Sequence, residues 1–273
     1  MMPELKQLCA IVVKAAREEL LPRFHSRLPA QAGAHGEIKH DGSVVTEADT
    51  ALQQRLQTEL KSHWPQYALL GEEMPLEQQQ ALRKKHGAGL WCLDPLDGST
   101  NFAAGIPFFA VSLALLQDGV PVLGIVYDPL RDECFSAQQG QGAWLDDAPL
   151  TVAPRHISLS RSVAVVDFKR LSAPLAASLA RKPPYLSQRN FGSVALEWCW
   201  LAAGRFDVYL HGGQKQWDYA AGSLILTEAG GHAETLQGGE VFNPSGQPSS
   251  VVAALDGPLF KEWKSWLRAV QQG

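Results

Sequence analysis

The stretch WCLDPLDGSTNF, residues 91–102, places two aspartates, a proline and a glycine directly after an apolar run. The apolar residues predict a buried strand, and Asp94 and Asp97 lie where that strand would end. Carboxylates at the end of a buried strand are costly unless a partner compensates their charge. The stretch therefore predicts that a cation meets both aspartates.

Composition restricts the classes of protein in which such a cation could act. The chain has 273 residues, of which 45% are hydrophobic, and this is enough to bury a large core. The formal net charge is −4 and Lys and Arg are scattered, so we expect no nucleic acid polymer as a partner. The N-terminal LCAIVV is too short for a signal peptide, and no apolar run is long enough to span a membrane. The four cysteines are far apart in sequence and form no C-x-x-C pair, which predicts buried thiols and a cytoplasmic location.

The apolar periodicity of the first half predicts helices followed by a sheet. Helical spacing covers residues 4–24, and a short strand leads into a second helix that begins near Glu47. Residues 76–86 have a polar helical pattern. Strands are predicted at YALLGEE and GAGLWCLDP, followed by an antiparallel meander through FFAVSLALLQDG, VPVLGIVYDP and DECFSAQQ.

Strands and helices alternate in the second half, which is typical of helices layered on a sheet. Strands are predicted at SVAVVDF, RFDVYL and VVAAL, and helices at 172–181, 193–203, 218–229 and 258–270. Periodicity is lost and proline is frequent over residues 149–160. We therefore expect an N-terminal α+β subdomain, residues 1–150, that carries most metal ligands, and a C-terminal α/β subdomain, residues 151–273, that completes the active site.

Carboxylates stand at the ends of four separate predicted elements. They are Asp49, Glu72, Glu73, Asp94, Asp97 and Asp218. Taken singly, each has a simpler explanation as a helix cap, a first-turn acid, a turn residue or a solvated loop pair. Together they would repel one another without a cation, and oxygen ligands suit Mg²⁺. The absence of H-E-x-x-H and C-x-x-C motifs argues against zinc.

Three segments that contain these acids resemble a known family. GEE at 71–73, DPLDGSTNF at 94–102 and WDYAAGSLILTEAGG at 217–231 are similar to the signature segments of the inositol monophosphatase family. KHDGSVVTEAD at 39–49 and GSVALEWCWLAAGRFD at 192–207 extend the resemblance over nearly the whole chain, in the right order. The resemblance implies a magnesium-dependent, lithium-sensitive phosphatase with a five-layered α-β-α-β-α sandwich, a small phosphate-ester substrate and a homodimeric state.

The same resemblance implies two or three Mg²⁺ ions in each active site. The implied metal ligands are Glu72, Asp94, the backbone carbonyl of Leu96, Asp97 and Asp218, with Asp94 bridging two ions. Lys39 and Glu73 are implied as outer contacts of the metal site or as contacts of a third ion. In two-metal sites one ion activates a water and the other stabilises the leaving oxygen.

The catalytic residues implied by the resemblance are Asp49, Ser99 and Glu72. Asp49 would orient the Ser99 hydroxyl, which would position the attacking water. The backbone N–H groups of Gly98, Ser99 and Thr100 would bind the phosphate. The family usually has threonine at the position of Ser99, and serine keeps the oxygen but loses the β-branch that stiffens χ1.

The substrate contacts implied by the resemblance are Asp97, Gly192, Ser193, His211 and Asp218. Members that act on inositol phosphates typically carry a sugar-binding glutamate seven residues before the last of these aspartates, and this chain has His211 there. Two interpretations of His211 are open, a substrate contact and a solvated loop residue.

Several functions are consistent with the sequence. The first is a phosphomonoesterase for inositol monophosphate or related sugar phosphates, favoured because TNF follows D-G-S at 97–99. The second is a 3′(2′),5′-bisphosphate nucleotidase for phosphoadenosine phosphate, whose members more often carry KEF there. The third is a non-catalytic regulatory binding protein, against which the intact set of acids argues. Fructose bisphosphatase activity is a minor further option.

Overall fold

The computed structural model describes residues 2–25, 37–38, 44–83, 87–153 and 155–272. Its N-terminal elements are α1 (Leu5–Glu19), α2 (Leu21–His25), β1 (Glu37–Ile38), β2 (Val44–Val45), α3 (Glu47–His63) and α4 (Leu76–Arg83). The helix predicted over residues 4–24 is broken after Glu19. The break has a local cause, because Pro22 lacks an N–H group and its ring clashes with the preceding helical turn.

The first sheet has seven strands in sequence order. They are β3 (Ala68–Gly71), β4 (Leu90–Asp97), β5 (Ala110–Gln117), β6 (Val120–Asp128), β7 (Glu133–Gln138), β8 (Gly142–Leu145) and β9 (Ala148–Leu150), with α5 (Ser99–Ala104) between β4 and β5. Only β3 and β4 pair in parallel, and the rest form the predicted antiparallel meander. The sequence analysis missed β8 and β9, because these strands have only four and three residues and are only partly buried.

The second sheet has five strands in the order β11-β10-β12-β14-β13. The elements of this half are β10 (Val163–Asp167), α6 (Ala173–Arg181), β11 (Ser187–Arg189), α7 (Val194–Ala202), β12 (Val208–Gln214), α8 (Gln216–Glu228), β13 (His232–Glu234), β14 (Ser249–Ala254) and α9 (Gly257–Gln272). Strand β10 runs parallel to both β11 and β12. Strand β12 extends four residues beyond the predicted RFDVYL, because its antiparallel pairing with β14 continues past a bulge between His211 and Gln214.

The helices and sheets stack in five layers, which confirms the predicted α-β-α-β-α sandwich. Helices α1 and α3 cover one face of the first sheet, α7 and α8 fill the space between the sheets, and α6 and α9 cover the far face of the second sheet. Successive side chains of β10 and β12 point to opposite faces of the second sheet, and each face packs against a different pair of helices. Val165 and Tyr209 pack in the core with α7 and α8, whereas Val166 and Leu210 pack with α6 and α9.

Close packing sets the position of α8. A Cβ atom on Gly222 would lie 2.5 Å from the Trp198 Cβ atom, so only glycine lets α8 lie against α7 here. At the start of α8, the Ser112 hydroxyl on β5 donates to the Trp217 carbonyl at 2.8 Å. Ser112 pairs with Asp94 across β4 and β5. These contacts bring the first turn of α8 to the end of β4.

Three broader sequence predictions concern the whole chain. The two sheets lie on either side of residue 150, the boundary predicted between subdomains. All four cysteines are free thiols, and three of them are buried as predicted, whereas Cys9 is partly exposed. Among the described residues, no helix combines the length and the apolar character that crossing a bilayer requires.

Candidate active site

The parallel pairing of β3 with β4 brings two acid-bearing strand ends together. Gly71 pairs with Leu93, and the Glu72 N–H donates to the Leu93 carbonyl at 3.1 Å. Glu72 therefore leaves β3 beside Asp94. The β4 register is irregular between Asp94 and Asp97, where the Leu96 N–H donates to Asp94 Oδ1 at 2.9 Å.

Helix α8 adds a third carboxylate to this pair. Asp218 is the third residue of α8, and its Oδ2 accepts the Lys215 N–H at 3.0 Å. Asp218 thus caps the helix from inside its first turn, whereas the sequence analysis placed it at the helix start. One oxygen each from Glu72, Asp94 and Asp218 lies within 4.8 Å of the other two. Three of the predicted metal ligands therefore converge.

The electrostatics of the cluster favour a bound cation. Burial, and then the charge of Glu72, raises the pKa of Asp94 well above its usual value. Burial, followed by the charge of Asp97, raises the pKa of Asp218 in the same direction. A cation would remove these penalties, because it stabilises the ionised form of every carboxylate around it. The all-oxygen donor set fits Mg²⁺ and has none of the nitrogen or sulfur ligands typical of zinc.

Asp97 connects the end of β4 to the second half of the chain. Its Oδ2 accepts the Ser193 hydroxyl at 2.5 Å and the Ala195 N–H at 2.7 Å. Burial raises the pKa of Asp97 to about 7, although both hydrogen bonds oppose the shift. Asp97 therefore also holds the start of α7. Its predicted role as a ligand of a second ion stays a prediction, as does that of the Leu96 carbonyl.

A basic residue that the sequence analysis did not predict lies in the cluster. The Lys215 Nζ atom lies 3.1 Å from Glu72 Oε1 and 5.8 Å from the centroid of the Trp217 ring. The ammonium therefore balances part of the negative charge. Lys215 could have been found from its position three residues before Asp218, because a residue that directly precedes a helix lies beside the first turn of that helix.

The predicted water-positioning residues lie at two helix starts. Asp49 is buried at the start of α3, and its Oδ2 accepts both the N–H and the hydroxyl of Thr46, at 2.7 and 2.6 Å. Ser99 is the first residue of α5. Before it, Gly98 has a φ of 91°, which strongly favours glycine. The Asp49–Ser99 pairing stays a prediction, as does phosphate binding by Gly98, Ser99 and Thr100.

The loop before α7 is held by residues that the sequence analysis did not predict. Glu197 is buried, and its Oε1 accepts the N–H groups of Phe191 and Gly192 at 3.0 and 3.2 Å. Asn101 donates to the carbonyls of Phe108 and Phe191, both at 2.8 Å. Together with the Asp97–Ser193 bond, these contacts fix Gly192 and Ser193 beside the end of β4.

His211 is not the solvated loop residue that one interpretation proposed. It lies in β12 and is 3% exposed, because the strand continues beyond the predicted RFDVYL. Its Nε2 atom lies 3.0 Å from Asp167 Oδ2, and its Nδ1 accepts the Gly213 N–H at 3.1 Å. Whether His211 contacts substrate is a separate matter, and that role stays a prediction.

Of Glu73 and Lys39, the two residues predicted as outer contacts of the metal site, the structure describes only Glu73. Glu73 follows Glu72, and its N–H donates to Gln53 Oε1 at 3.0 Å, so α3 fixes this turn. Lys39 lies outside the described residues.

Comparison with known sequences shows which family of proteins this chain resembles. A profile described as the inositol monophosphatase family matches residues 4–271. The protein named Inositol-1-monophosphatase from Mesorhizobium japonicum is 36% identical over 237 residues, which are 85% of this chain and 87% of that protein. The protein named Nus factor SuhB from Pasteurella multocida is 36% identical over 214 residues, which are 77% of this chain and 78% of that protein.

Solved structures show the same similarity. The IMPase of Thermotoga maritima has a TM-score of 0.82 at 26% identity, with 99% of each chain covered. The inositol monophosphate-bound SaIMPase-II of Staphylococcus aureus has a TM-score of 0.78 at 25% identity, with 96% of this chain and 94% of that one covered. The chain belongs to the inositol monophosphatase family.

Proposed function

We propose that the chain is a magnesium-dependent phosphomonoesterase that hydrolyses small phosphorylated metabolites, such as inositol monophosphate or related sugar phosphates. The observation that carries the proposal is the convergence of Glu72, Asp94 and Asp218 within 4.8 Å. These three acids come from β3, β4 and α8, and their mutual repulsion favours a divalent cation among them. Family membership supports a phosphatase, and the acids support its dependence on metal.

In this proposal the residues that would hold two or three Mg²⁺ ions are Glu72, Asp94, the Leu96 carbonyl, Asp97 and Asp218. Bound there, Mg²⁺ would make water a nucleophile at neutral pH and offset the charge of the phosphate and its leaving oxygen.

The remaining steps belong to the chain's own groups. Asp49 would accept the Ser99 hydroxyl proton in a hydrogen bond, so that the Ser99 oxygen accepts a proton of the attacking water and holds it in line. The N–H groups that follow Gly98 would bind the phosphate oxygens, since the glycine lets the backbone approach closely. The Ser193 hydroxyl and Asp97 would keep the substrate loop against this centre.

The experiment is a phosphate-release assay on the purified full chain. It compares myo-inositol 1-phosphate, sugar phosphates, 2′-AMP, fructose bisphosphate and phosphoadenosine phosphate, each with MgCl₂, with EDTA and with added LiCl. The proposal expects magnesium-dependent release that is fastest from monophosphates of polyols, and inhibition by millimolar lithium. Release that continues at the same rate in EDTA would overturn it.

Two specific observations keep other candidates in the panel. SaIMPase-II has been solved with 2′AMP bound as well as with inositol monophosphate, which supports including nucleotides such as phosphoadenosine phosphate. Several relatives are named Nus factor SuhB, which favours a regulatory binding protein of the same fold as the second candidate. Absence of turnover on every substrate, with Mg²⁺ bound, would favour this second candidate. We also propose a cytoplasmic homodimer, which size-exclusion chromatography with light scattering would test.

A further inference from the structure

A carboxylate that the proposed mechanism does not use lies in the second sheet. Asp167 ends β10 and pairs in parallel register with His211 of β12. The Asp167 Oδ2 atom lies 3.0 Å from His211 Nε2. The Asp167 side chain is 19% exposed and the His211 side chain 4%, so the carboxylate is the part of the pair that a ligand can reach.

Hydrogen bonds define the role of His211 in this pair. The Gly213 N–H donates to His211 Nδ1 at 3.1 Å, so Nδ1 carries a lone pair and the proton of the neutral ring is on Nε2. That proton points to Asp167. Both ring nitrogens are thereby engaged, and His211 fixes the orientation of the carboxylate rather than offering a free donor or acceptor to substrate.

The pair lies on the face of the second sheet that the active site shares. Val165 and Tyr209 pack toward α7 and α8, and side chains two residues further along a strand lie on the same face. Asp167 and His211 are those residues. They therefore face the layer that contains the first turns of α7 and α8, not the outer layer of α6 and α9.

The direction of the strands also places Asp167 on the active-site side of the second sheet. Strands β10, β11 and β12 run in parallel, so their carboxyl ends share one edge of the sheet. From that edge the chain continues to Gly192 and Ser193 after β11 and to Asp218 after β12. Asp167 stands at the same edge after β10. Ligands of α/β sheets bind outside such carboxyl ends.

Asp167 has the chemistry of a hydroxyl acceptor. Its Oδ1 accepts the Lys169 N–H at 2.7 Å and its Oδ2 faces His211, and each carboxylate oxygen can accept one further hydrogen bond. Burial alone would raise the pKa of Asp167, but the hydrogen bonds from His211 and the Lys169 N–H, together with the charge of Arg170, lower this pKa. An ionised acceptor suits the hydroxyl groups of a polyol and repels a second phosphate.

We propose that Asp167 is a specificity-determining residue that accepts hydrogen bonds from the hydroxyl groups of a polyol monophosphate, and that His211 positions it. This inference rests on the proposed function. The carboxylate that the sequence lacks at residue 211 is supplied by the neighbouring strand, at the same level of the sheet.

The test compares two substrates on the same preparation of each variant. Wild type, Asp167→Asn, His211→Phe and His211→Gln are assayed with myo-inositol 1-phosphate and with p-nitrophenyl phosphate, which has no polyol. Asp167→Asn and His211→Phe are expected to lower kcat/KM for myo-inositol 1-phosphate by roughly 10-fold or more, mainly through KM, as for a lost hydrogen bond to a charged group. Values for p-nitrophenyl phosphate are expected to stay unchanged. His211→Gln, whose amide can still donate to Asp167, is expected to retain most of the preference.

The ratio of the two substrates separates specificity from folding, because a loss of folded protein lowers both rates equally. Glu234→Gln is the matched control, since it also removes the charge of an ion-paired carboxylate of the second sheet, 18% exposed, and it is expected to change neither rate. An equal effect on both substrates, or none on either, would overturn the role of Asp167. If the wild type releases phosphate from neither substrate, the proposed function itself fails, and the inference with it.

Discussion

The Lys215 ammonium lies 3.1 Å from the Glu72 carboxylate, so a residue of the C-terminal half neutralises an acid of the proposed metal centre. Both side chains are largely buried, with exposed fractions of 26% and 13%. A divalent cation beside Glu72 would meet Lys215 as a like charge. We therefore expect Lys215 to stabilise the proposed centre without metal and to weaken ion binding.

Lys215→Met should tighten magnesium binding, because methionine removes this like charge. An ion pair of this kind contributes about 1 kcal/mol, so the Mg²⁺ concentration for half-maximal activity should fall by about 5-fold. The melting temperature in EDTA should also fall, since the ion pair between Lys215 and Glu72 is lost. A magnesium titration of phosphate release and thermal denaturation measure the two effects. Lys6→Met, in the exposed pair with Asp147, should change neither, and a higher magnesium requirement for Lys215→Met would contradict the argument.

Asp94→Asn should separate activity from stability. The change removes the carboxylate shared by the proposed ions, so magnesium-dependent turnover should fall by at least about 100-fold. In EDTA the melting temperature should stay equal or rise, because burial and the charge of Glu72 already penalise ionised Asp94. Asp128→Asn, which breaks the ion pair of the buried Asp128 with the partly exposed Arg131, should instead lower the melting temperature without loss of turnover. Retained turnover in Asp94→Asn would remove Asp94 from the metal ligands.

Glu197 should make the stability of the metal-free protein depend on pH. Burial raises its pKa to about 7, although hydrogen bonds from Phe191, Tyr209 and Gly192 oppose the shift. A folded pKa above the unfolded value of about 4.3 means that the stabilising contribution is complete below pH 4.3 and is lost as pH rises to about 7. Glu197→Gln stays neutral throughout. Relative to wild type, its free energy of unfolding should therefore increase over this range, on the order of 2–3 kcal/mol.

Urea denaturation in EDTA at several pH values measures this difference. Comparing the variant with wild type cancels the titration of other carboxylates, such as Asp132, whose pKa is lowered by its hydrogen bond with Arg17 and which shifts stability in the opposite direction. A constant difference between pH 4 and 8 would show that Glu197 titrates in the ordinary range.

Much of the fold, and three of the acids that converge in the structure, could be predicted from the sequence. The strand and its two charged residues, Asp94 and Asp97, lie within one short stretch of sequence. The apolar pattern predicts the strand, and the cost of burying the two carboxylates predicts a cation beside them. The five layers were then implied by the resemblance to the inositol monophosphatase family, whose signature segments occur here in the same order. The start of α8 was placed two residues late, because Asp218 is a favoured N-cap type that here caps from the third helical position.

Contacts between residues far apart in the chain could not be predicted in this way. Lys215 and Glu72 are 143 residues apart, and each looks locally like a solvated residue. One of the two interpretations of His211 placed it in a solvated loop, whereas the pairing of β12 with β14 continues past it through a bulge between His211 and Gln214. The local sequence pattern does not predict such pairing, because pairing depends on which strands become neighbours in the folded chain.

Ser99→Ala should slow turnover while leaving the fold intact. Ser99 is the first residue of α5, where a side chain makes little contact with the rest of the helix, so the melting temperature should change little. Loss of a hydroxyl that positions the attacking water should lower kcat by roughly 100-fold or more with a small change in KM. Ser99→Thr keeps the oxygen and adds the β-branch that stiffens χ1, so it should retain turnover and serves as the matched comparison. Steady-state kinetics with saturating MgCl₂ measure both variants. Equal turnover of Ser99→Ala and wild type would exclude the hydroxyl from catalysis and would contradict the proposed pairing of Asp49 with Ser99.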